Sequence, residues 1–232
     1  MKNKLLALLT VMCLLFINYT TVIAQSIKAK DVNLIEANIK GCNITFKKGT
    51  SKSYKFSYYG TASDTIYDFK TSIEDDVLKI DLRYIGNDKA PSIKEGGIVV
   101  KVPDKAKLSL DITGSSSAGI TLNNINLDTN LNTESCAVII TNDKAENKIT
   151  IESKYDSYEI ISASPKKEFN IKANGSAIDF KLNKAPKNLH FKLTEKNADV
   201  VIPKTWRYDY SIGSGKPDMV IDIVDSVFEL YY

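Results

Sequence analysis

The side chains with potential for chemistry are few and scattered along the chain. His190 is the only histidine, and it lies between Leu189 and Phe191. Successive side chains of a strand point to opposite faces, so we expect His190 to face solvent while its apolar neighbours face the core. A lone histidine argues against multi-histidine metal sites and most catalytic triads, and the chain has no Gly-x-Ser-x-Gly elbow. We therefore predict an exposed strand histidine with no catalytic or metal-binding role.

Two sets of carboxylates could support hydrolysis of a polysaccharide, which needs a pair of converging acids. The first set is Glu74-Asp75-Asp76, which has the character of a tight hairpin turn whose side chains diverge. The second is Asp179 and Asp199, which occupy equivalent positions in successive repeats and would lie about 5 Å apart if those repeats stack. Carboxylates at that spacing share a proton or a calcium ion, or turn apart into solvent. We favour the solvated arrangement for both sets and predict no catalytic, metal or cofactor site.

Cysteine chemistry has two interpretations. Cys42 and Cys136 remain once the amino-terminal segment is set aside. Export to an oxidising space permits a disulfide between them, but two buried, unpaired thiols are equally consistent with the sequence.

The stretch from Leu108 to Pro203 positions Cys136, Asp179, His190 and Asp199, and it contains five copies of a unit of about twenty residues, a period typical of repeat architectures. Each copy has an alternating apolar run, a small or polar corner and a second alternating run, which indicates two half-buried strands. The first runs are 108–112, 127–131, 149–151, 169–171 and 189–193, and the second runs are 120–122, 138–140, 158–160, 178–182 and 198–202.

Two strands per repeat predict an all-β fold, a right-handed parallel β-solenoid with about twenty residues per coil. A single coil cannot bury its apolar face, and stacking coils about 4.8 Å apart creates a continuous core. An all-β sandwich is the competing fold, because regularly spaced strands suit it as well.

The remaining segments complete one predicted domain over residues 25–232. Residues 25–103 form less regular amino-terminal coils, 104–203 the regular coils, and 204–232 a carboxy-terminal coil and cap. In this last part, the alternating Met219, Ile221 and Ile223 are interpreted as the second run of a sixth coil. Trp206 and the strand ending at Tyr232 are interpreted as the cap.

An alternative role for Trp206 is sugar binding. Together with Tyr208 and Tyr210 it would form a stacking platform for a glycan. Aromatic residues in strands are more often core or cap, so we favour the cap.

Residues 1–24 have the features of a signal peptide. Lys2 and Lys4 precede the apolar run from Leu5 to Ile17, which is shorter than the ~20 residues of a membrane span, and we predict cleavage after Ala24. Removing two lysines and no acid changes the formal net charge from +3 to +1. That balance favours neither nucleic acid nor an anionic membrane as partner, and no second apolar run is long enough to span a membrane.

Three segments resemble a known family. Ile98–Pro103, Leu108–Gly114 and Ala198–Pro203 are similar to the adhesin-like domains of unknown function DUF4097 and the related DUF2807. The resemblance implies a right-handed β-solenoid on an exported or envelope-associated bacterial protein, and it supplies no catalytic set. The chain departs from the pattern at its second and third corners, where Ser135-Cys136 and Asp156-Ser157 replace the usual Ser-Gly.

Three functions are therefore compatible with the sequence. The first is an exported, non-catalytic cell-envelope or surface binding module, adhesin-like, whose partner is an unidentified envelope protein, surface protein or glycan. The second is a structural or stress-responsive envelope protein without a ligand of its own. The third is a polysaccharide-degrading enzyme. Clustered acids in a groove would favour the enzyme, a distinctive flat face would favour binding, and uniformly mixed charges would favour the structural role.

Overall fold

A computed structural model describes residues 22–28, 32–103 and 109–232, and within them the chain contains strands and no helix. The all-β prediction is confirmed. Residues 1–21 of the predicted signal peptide and Leu108 of the first repeat lie outside the described residues. None of the described segments forms a helix that could cross a bilayer.

The described residues form twenty strands. Their bounds are β1 Val22–Lys28, β2 Leu34–Lys40, β3 Asn43–Gly49, β4 Ser53–Gly60, β5 Tyr67–Glu74, β6 Val77–Tyr84, β7 Gly96–Pro103, β8 Ser109–Ser115, β9 Gly119–Asn123, β10 Asp128–Glu134, β11 Ala137–Asn142, β12 Ile149–Lys154, β13 Ser157–Ser162, β14 Phe169–Asn174, β15 Ala177–Leu182, β16 Leu189–Lys196, β17 Asp199–Val201, β18 Asp209–Ile212, β19 Asp218–Val224 and β20 Val227–Tyr231.

The strands form two ten-stranded sheets that are mostly parallel. Sheet A has the order β1-β4-β7-β3-β9-β11-β13-β15-β20-β17, and sheet B has the order β18-β16-β19-β14-β12-β10-β8-β2-β6-β5. Among these twenty described strands, antiparallel pairs occur only towards the ends, in β1–β4, β4–β7, β5–β6 and β16–β18. Most consecutive strands in the regular part of the chain lie in alternate sheets.

The register in the middle of the molecule repeats every twenty residues. In sheet B, Ile149 lies beside Phe169 and Ile151 beside Ile171; the same offset of twenty joins β10 to β12, β11 to β13 and β13 to β15. The alternating apolar side chains point inward from both sheets into one core, where the Phe169 and Phe180 rings lie 5.1 Å apart at the centroids. This register agrees with the period seen in the sequence, and the right-handed solenoid stays a prediction.

A buried carboxylate organises the corner between β12 and β13. Asp156 is only 4% exposed and accepts hydrogen bonds from the hydroxyls of Thr133 and Ser153, both at 2.7 Å. It also accepts the backbone N–H groups of Cys136 at 2.7 Å and Lys154 at 3.0 Å. A buried carboxylate is stabilised only when it accepts such hydrogen bonds. By accepting them, the Asp156 side chain holds two successive corners together.

The same corners need a left-handed backbone. Gly175 has a φ of 64°, where glycine meets little steric cost. Ser135, Tyr155 and Asp225 adopt nearly the same conformation with φ of 58°, 57° and 49°. The corner geometry therefore persists where the chain lacks the Ser-Gly of the DUF4097 pattern.

At both ends of the molecule, the order of the strands departs from the order of the chain. β19 lies between β14 and β16 in sheet B, and β20 lies between β15 and β17 in sheet A. At the other end, β2 and β3 lie inside β6 and β7. We name these two arrangements the swapped ends.

The swapped ends correct two sequence interpretations. Met219, Ile221 and Ile223 belong to sheet B with the first runs of the repeats, beside Phe169 and Ile171, and so are not a second run. The strand ending at Tyr231 is not a cap either, because β20 is hydrogen-bonded on both sides, to β15 and β17. Both errors arise because the first and second runs have the same apolar alternation. This alternation predicts which face of a strand is buried, but it does not predict which strand lies next to it.

Trp206 closes the carboxy-terminal end beside β17 and β18. Its side chain is 5% exposed and lies against the rings of Phe191, Tyr210 and Tyr232 at centroid distances of 5.1, 5.6 and 6.1 Å. A buried indole cannot stack on a sugar, so the glycan platform with Tyr208 does not form around it, and Trp206 occupies the place of a cap residue.

Candidate binding face on sheet A

His190 faces outward from β16, and it is held between two carboxylates. Its Nδ1 lies 3.1 Å from Asp218 and its Nε2 lies 3.0 Å from Asp209. Hydrogen bonds to Asp209 and then to Asp218 raise the pKa of the imidazole above its ordinary value. Both ring nitrogens are engaged, so the protonated ring acts as a tie between β16, β18 and β19, and neither nitrogen is left to accept a proton from a substrate.

The acidic turn does not bring carboxylates together. Asp75 and Asp76 occupy the turn between β5 and β6 with φ of 50° and 62°. Glu74 pairs with Lys79, while Asp76 accepts a hydrogen bond from Asn33. The three carboxylates diverge, as the sequence predicts.

Asp179 and Asp199 are not neighbours, so the stacking predicted for them is wrong. β20 separates their strands: Asp179 lies beside Glu229, and Asp199 lies beside Val227. On its other side Asp179 lies beside Glu159. The structure thus forms a different acidic group, Glu159, Asp179 and Glu229 in register on three adjacent strands of sheet A, which we call the acidic row.

The acidic row acts as a unit on a neighbouring tyrosine. A hydrogen bond to Asp179, burial, and the negative charges of Asp179, Glu229 and Glu159 together raise the pKa of Tyr231. All three carboxylates are exposed, and within the described part of the chain none of them forms an ion pair. No group of three or more histidine, cysteine, aspartate or glutamate side chains among the described residues is arranged to hold a metal ion.

A matching cationic group lies at the other end of the same face. Lys47 on β3 lies beside Lys101 on β7, and Lys101 lies beside Lys55 on β4. We call these three the lysine row. Across residues 22–28, 32–103 and 109–232 none of the three has an acidic partner, so like charges stand side by side with no neutralising ion pair in that part of the chain.

A shallow concavity lies beside the lysine row on the outer face of sheet A. Its volume is about 580 Å³, and one side is formed by the loop of Ile93, whose carbonyl accepts a hydrogen bond from the Tyr59 hydroxyl at 2.7 Å. Its lining combines hydroxyl, apolar and cationic groups: Thr45, Lys47, Lys55, Phe56, Ser57, Tyr59, Ile93, Val99, Lys101, Thr121 and Ile139. This is the chemistry of a contact surface, with hydrogen-bonding and apolar groups next to unneutralised charge.

Sheet B and its loops differ from this face, since several of their charges form ion pairs within the chain. Lys154 binds Glu134 at 3.0 Å, from one strand to the next. Lys167 binds Asp128 at 3.0 Å. Lys148–Glu168 and Lys166–Glu146 are further pairs between successive repeats. These ion pairs stabilise the stack modestly, whereas the charges of the lysine row and the acidic row remain available to a partner.

Cys42 and Cys136 are both buried and free. Ala118 lies between them, because Gly119 N–H bonds to the Cys42 carbonyl and Ala137 N–H to the Ala118 carbonyl. Two strand spacings of about 4.8 Å place the cysteine Cα atoms farther apart than the ~7 Å limit for a disulfide. Of the two alternatives left by the sequence, the unpaired thiols are the one found.

Neither row is predicted by the sequence pattern. Each row takes one residue from each of three strands, and the lysine row requires β7 to lie between β4 and β3. The alternating runs do predict that each residue of the two rows points outward. They do not predict the order of the strands, which decides which residues become neighbours.

Comparison with known proteins gives likeness in fold only. No family model matches the chain, including those for the DUF4097 resemblance, and no curated protein matches its sequence. A "putative cell adhesion protein" from Clostridium sporogenes has a similar solved structure, with 10% identity, a TM-score of 0.44, and coverage of 91% of this chain and 96% of that one. A "putative adhesin" from Bacteroides fragilis has 14% identity, a TM-score of 0.33, and coverage of 91% and 97%. Likeness at this level carries no argument about function, which has to come from the surface itself.

Proposed function

We propose that this chain is an exported, non-catalytic binding module of the cell envelope or cell surface, and that it contacts a macromolecular partner through the outer face of sheet A. The observation that carries the proposal is the contrast between the two sheets. Sheet B and its loops carry several ion pairs between successive repeats. Among the described residues the lysine row and the acidic row of sheet A carry none, and the lysine row borders an open concavity.

A right-handed β-solenoid with about twenty residues per coil is the scaffold in this proposal. The offset of twenty residues in sheets A and B supports it, as does the alternation of most consecutive regular strands between the two sheets. Such a stack presents a long, rigid and shallow face, which suits contact with an extended partner.

Export rests on the amino-terminal sequence, and the structure is compatible with cleavage after Ala24. β1 would then keep Ser26, Ile27 and Lys28, which lie beside Lys55, Tyr54 and Ser53 of β4. Only two register pairs, those of Val22 and Ile23, would be lost. Mass spectrometry of the protein from its native host should give an amino terminus at Gln25, and an intact terminus in the cytosol would contradict export.

The absence of catalysis is part of the proposal, and it is tested directly. The acids considered from the sequence diverge or lie on separated strands, and His190 has both ring nitrogens engaged. Incubation of the protein with plant, host and bacterial polysaccharides should release no reducing ends above a denatured control. Reproducible turnover that is lost with Asp179→Asn would favour the polysaccharide-degrading enzyme.

Binding is tested by neutralising the lysine row. Replacing Lys47, Lys55 and Lys101 by glutamine should reduce retention of the protein on envelope and surface fractions of its host, and the loss should resemble the effect of high salt, which screens exposed charges. The matched control replaces three exposed lysines of sheet B by glutamine: Lys40, Lys172 and Lys192. Equal retention of both variants would favour the structural role without a ligand.

A further inference from the structure

The two charged rows occupy symmetric positions in sheet A. Counting outward from the boundary between β9 and β11, the pairs of strands at equal distance are β3 and β13, then β7 and β15, then β4 and β20. The lysine row lies on β3, β7 and β4. The acidic row lies on β13, β15 and β20. Every strand with a lysine of the row is therefore matched by a strand with an acid at the same distance on the other side.

This symmetry makes the face complementary to itself. A two-fold axis parallel to the strands, lying between β9 and β11, turns the sheet over and reverses its strand order. It places the strand of Lys47 opposite the strand of Glu159 of the partner subunit, the strand of Lys101 opposite that of the partner's Asp179, and the strand of Lys55 opposite that of the partner's Glu229. In a two-fold interface each contact occurs twice, so three pairs of facing strands bring together six pairs of oppositely charged residues.

We propose that the partner of this face is a second copy of the same chain, bound face to face about that axis. The inference rests on the proposed function, because it names the partner of the same surface.

The reach of the side chains fits this arrangement. Thr45, Thr121 and Ile139 are aligned with Glu159, so Lys47 lies two residues farther along the strand than the acidic row. Two residues are roughly 7 Å along a strand, and packed sheets lie about 10 Å apart, which puts the facing Cα atoms about 12 Å apart. An extended lysine and an extended carboxylate side chain span this distance together.

The centre of the face is free of charge. Thr121 and Ile139 lie next to the axis, and Thr141 and Ile161 lie beside them; all four are half-buried. An apolar and hydroxyl-bearing centre with charges on its flanks is the usual anatomy of a protein–protein interface.

The size of the face is also sufficient. Ten strands at a spacing of about 4.8 Å extend roughly 43 Å, and five residues along each strand give a width of about 17 Å. The product is about 700 Å² for each copy, an upper bound because the loop of Ile93 covers the face at Gly119 and Asn43, and it is close to the ~800 Å² per partner of a standard interface.

One residue on the strands that carry the acidic row opposes the pairing of the two faces. Lys181 on β15 is aligned with Tyr231 and Ile161, two residues beyond Asp179, and the two-fold axis places it opposite Lys101 of the partner subunit. Lys181→Glu should therefore tighten the dimer, because it exchanges a like-charge contact for an opposite one at a site outside both rows.

The test uses the protein purified from its native host and variants prepared in the same way, with oligomeric state measured by sedimentation velocity. The wild-type protein should be a dimer that weakens as salt rises, since the Debye length falls from about 10 Å at 0.1 M to 3 Å at 1 M. Reversing the lysine row (Lys47→Glu, Lys55→Glu, Lys101→Glu) should give a monomer with an unchanged far-ultraviolet spectrum.

A charge-swap experiment gives the decisive result. Reversing the acidic row (Glu159→Lys, Asp179→Lys, Glu229→Lys) should also give a monomer. A one-to-one mixture of the two reversed variants should form a heterodimer, because one face is now wholly acidic and the other wholly basic.

The control reverses exposed lysines of sheet B, Lys40, Lys172 and Lys192, and should remain dimeric. A wild-type monomer up to its solubility limit, or a mixture of reversed variants that fails to associate, would refute the second copy as partner. If the monomer still binds envelope fractions through its lysine row, the proposed function stands and the partner is an anionic surface molecule. If it binds nothing, both proposals fail.

Discussion

Replacing Asp156 by alanine should destabilise the protein severely, although the residue lies at a corner and outside the apolar core. Its carboxylate accepts four hydrogen bonds, from Thr133, Ser153, Cys136 and Lys154. Alanine has no hydrogen-bond acceptor, so the four donors lose their shared partner at a site that is 4% exposed.

The loss in the free energy of unfolding depends on which of the four donors can find another acceptor. The Thr133 hydroxyl already lies 2.6 Å from the Tyr158 hydroxyl, and the Ser153 hydroxyl lies 2.8 Å from that of Ser176. These two hydroxyls can reorient. The backbone N–H groups of Cys136 and Lys154 cannot, and an unsatisfied buried donor costs about 1–3 kcal/mol. We therefore expect Asp156→Ala to lower the free energy of unfolding by about 4 kcal/mol, near the middle of the range for two such groups.

Asparagine separates the effect of the acceptor from that of side-chain volume. Asp156→Asn keeps one oxygen, which can serve the Cys136 N–H, while its amide donates to hydroxyls that turn to accept. Only the Lys154 N–H then lacks a partner, so the loss should be about half that of alanine. Asp222→Ala is the matched control, because Asp222 is exposed on β19, and surface substitutions usually stay within about 0.5 kcal/mol.

The assay is urea unfolding followed by circular dichroism, with the free energy taken from the midpoint and the slope. If Asp156→Ala and Asp222→Ala unfold at the same urea concentration, then the four hydrogen bonds do not hold the corner, and the role assigned to this carboxylate is wrong.

Three further predictions concern other parts of the fold. Ile171→Asp should prevent folding, since it puts an unpaired charge into the core between the sheets; a folded variant with wild-type melting would show that the inward assignment is wrong. The raised pKa of His190 means that its tie between β16, β18 and β19 is fully present below pH 6.5 and is lost as pH rises through the folded-state pKa; the melting difference between the wild type and His190→Gln should shrink from pH 5.5 to pH 8.5, and a difference independent of pH would refute the tie. Burial raises the pKa of Cys42 to about 12 and that of Cys136 to about 11, so a thiol reagent at pH 8 should label neither before unfolding and both after it, whereas rapid labelling of the native protein would show that the thiols are accessible.

The sequence was sufficient for the fold class because the decisive signal is local. Ile149 and Ile151 alternate with polar residues, as do Phe169 and Ile171, and this pattern identifies a half-buried strand whatever its neighbours are. The twenty-residue register follows from the same periodicity. The outward position of His190 and the divergence of the acidic turn also depended only on local geometry.

The order of strands at the ends could not be predicted in the same way. Leu189 and Phe191 of β16 have the same apolar alternation as Met219 and Ile221 of β19, so either strand could cover the inward face next to β14. The choice depends on packing and connection geometry, which no single run encodes. Since both charged rows depend on this order, the candidate binding face was inaccessible to sequence reasoning even though each of its residues was visible.

The swapped ends have a consequence for the time at which each part of the protein can assemble. β16 and β17 leave the ribosome, or cross a membrane, before β19 and β20, yet β19 and β20 are their neighbours in the two sheets. While residues 218–231 are still absent, β16 can form backbone hydrogen bonds only with the exposed edge of β14. In the finished protein that edge is paired with β19. The late segment must therefore arrive before the early one docks, or must displace it. A protein arranged in this way completes its outermost strands last, after the whole of residues 189–231 has been delivered to the compartment in which it folds.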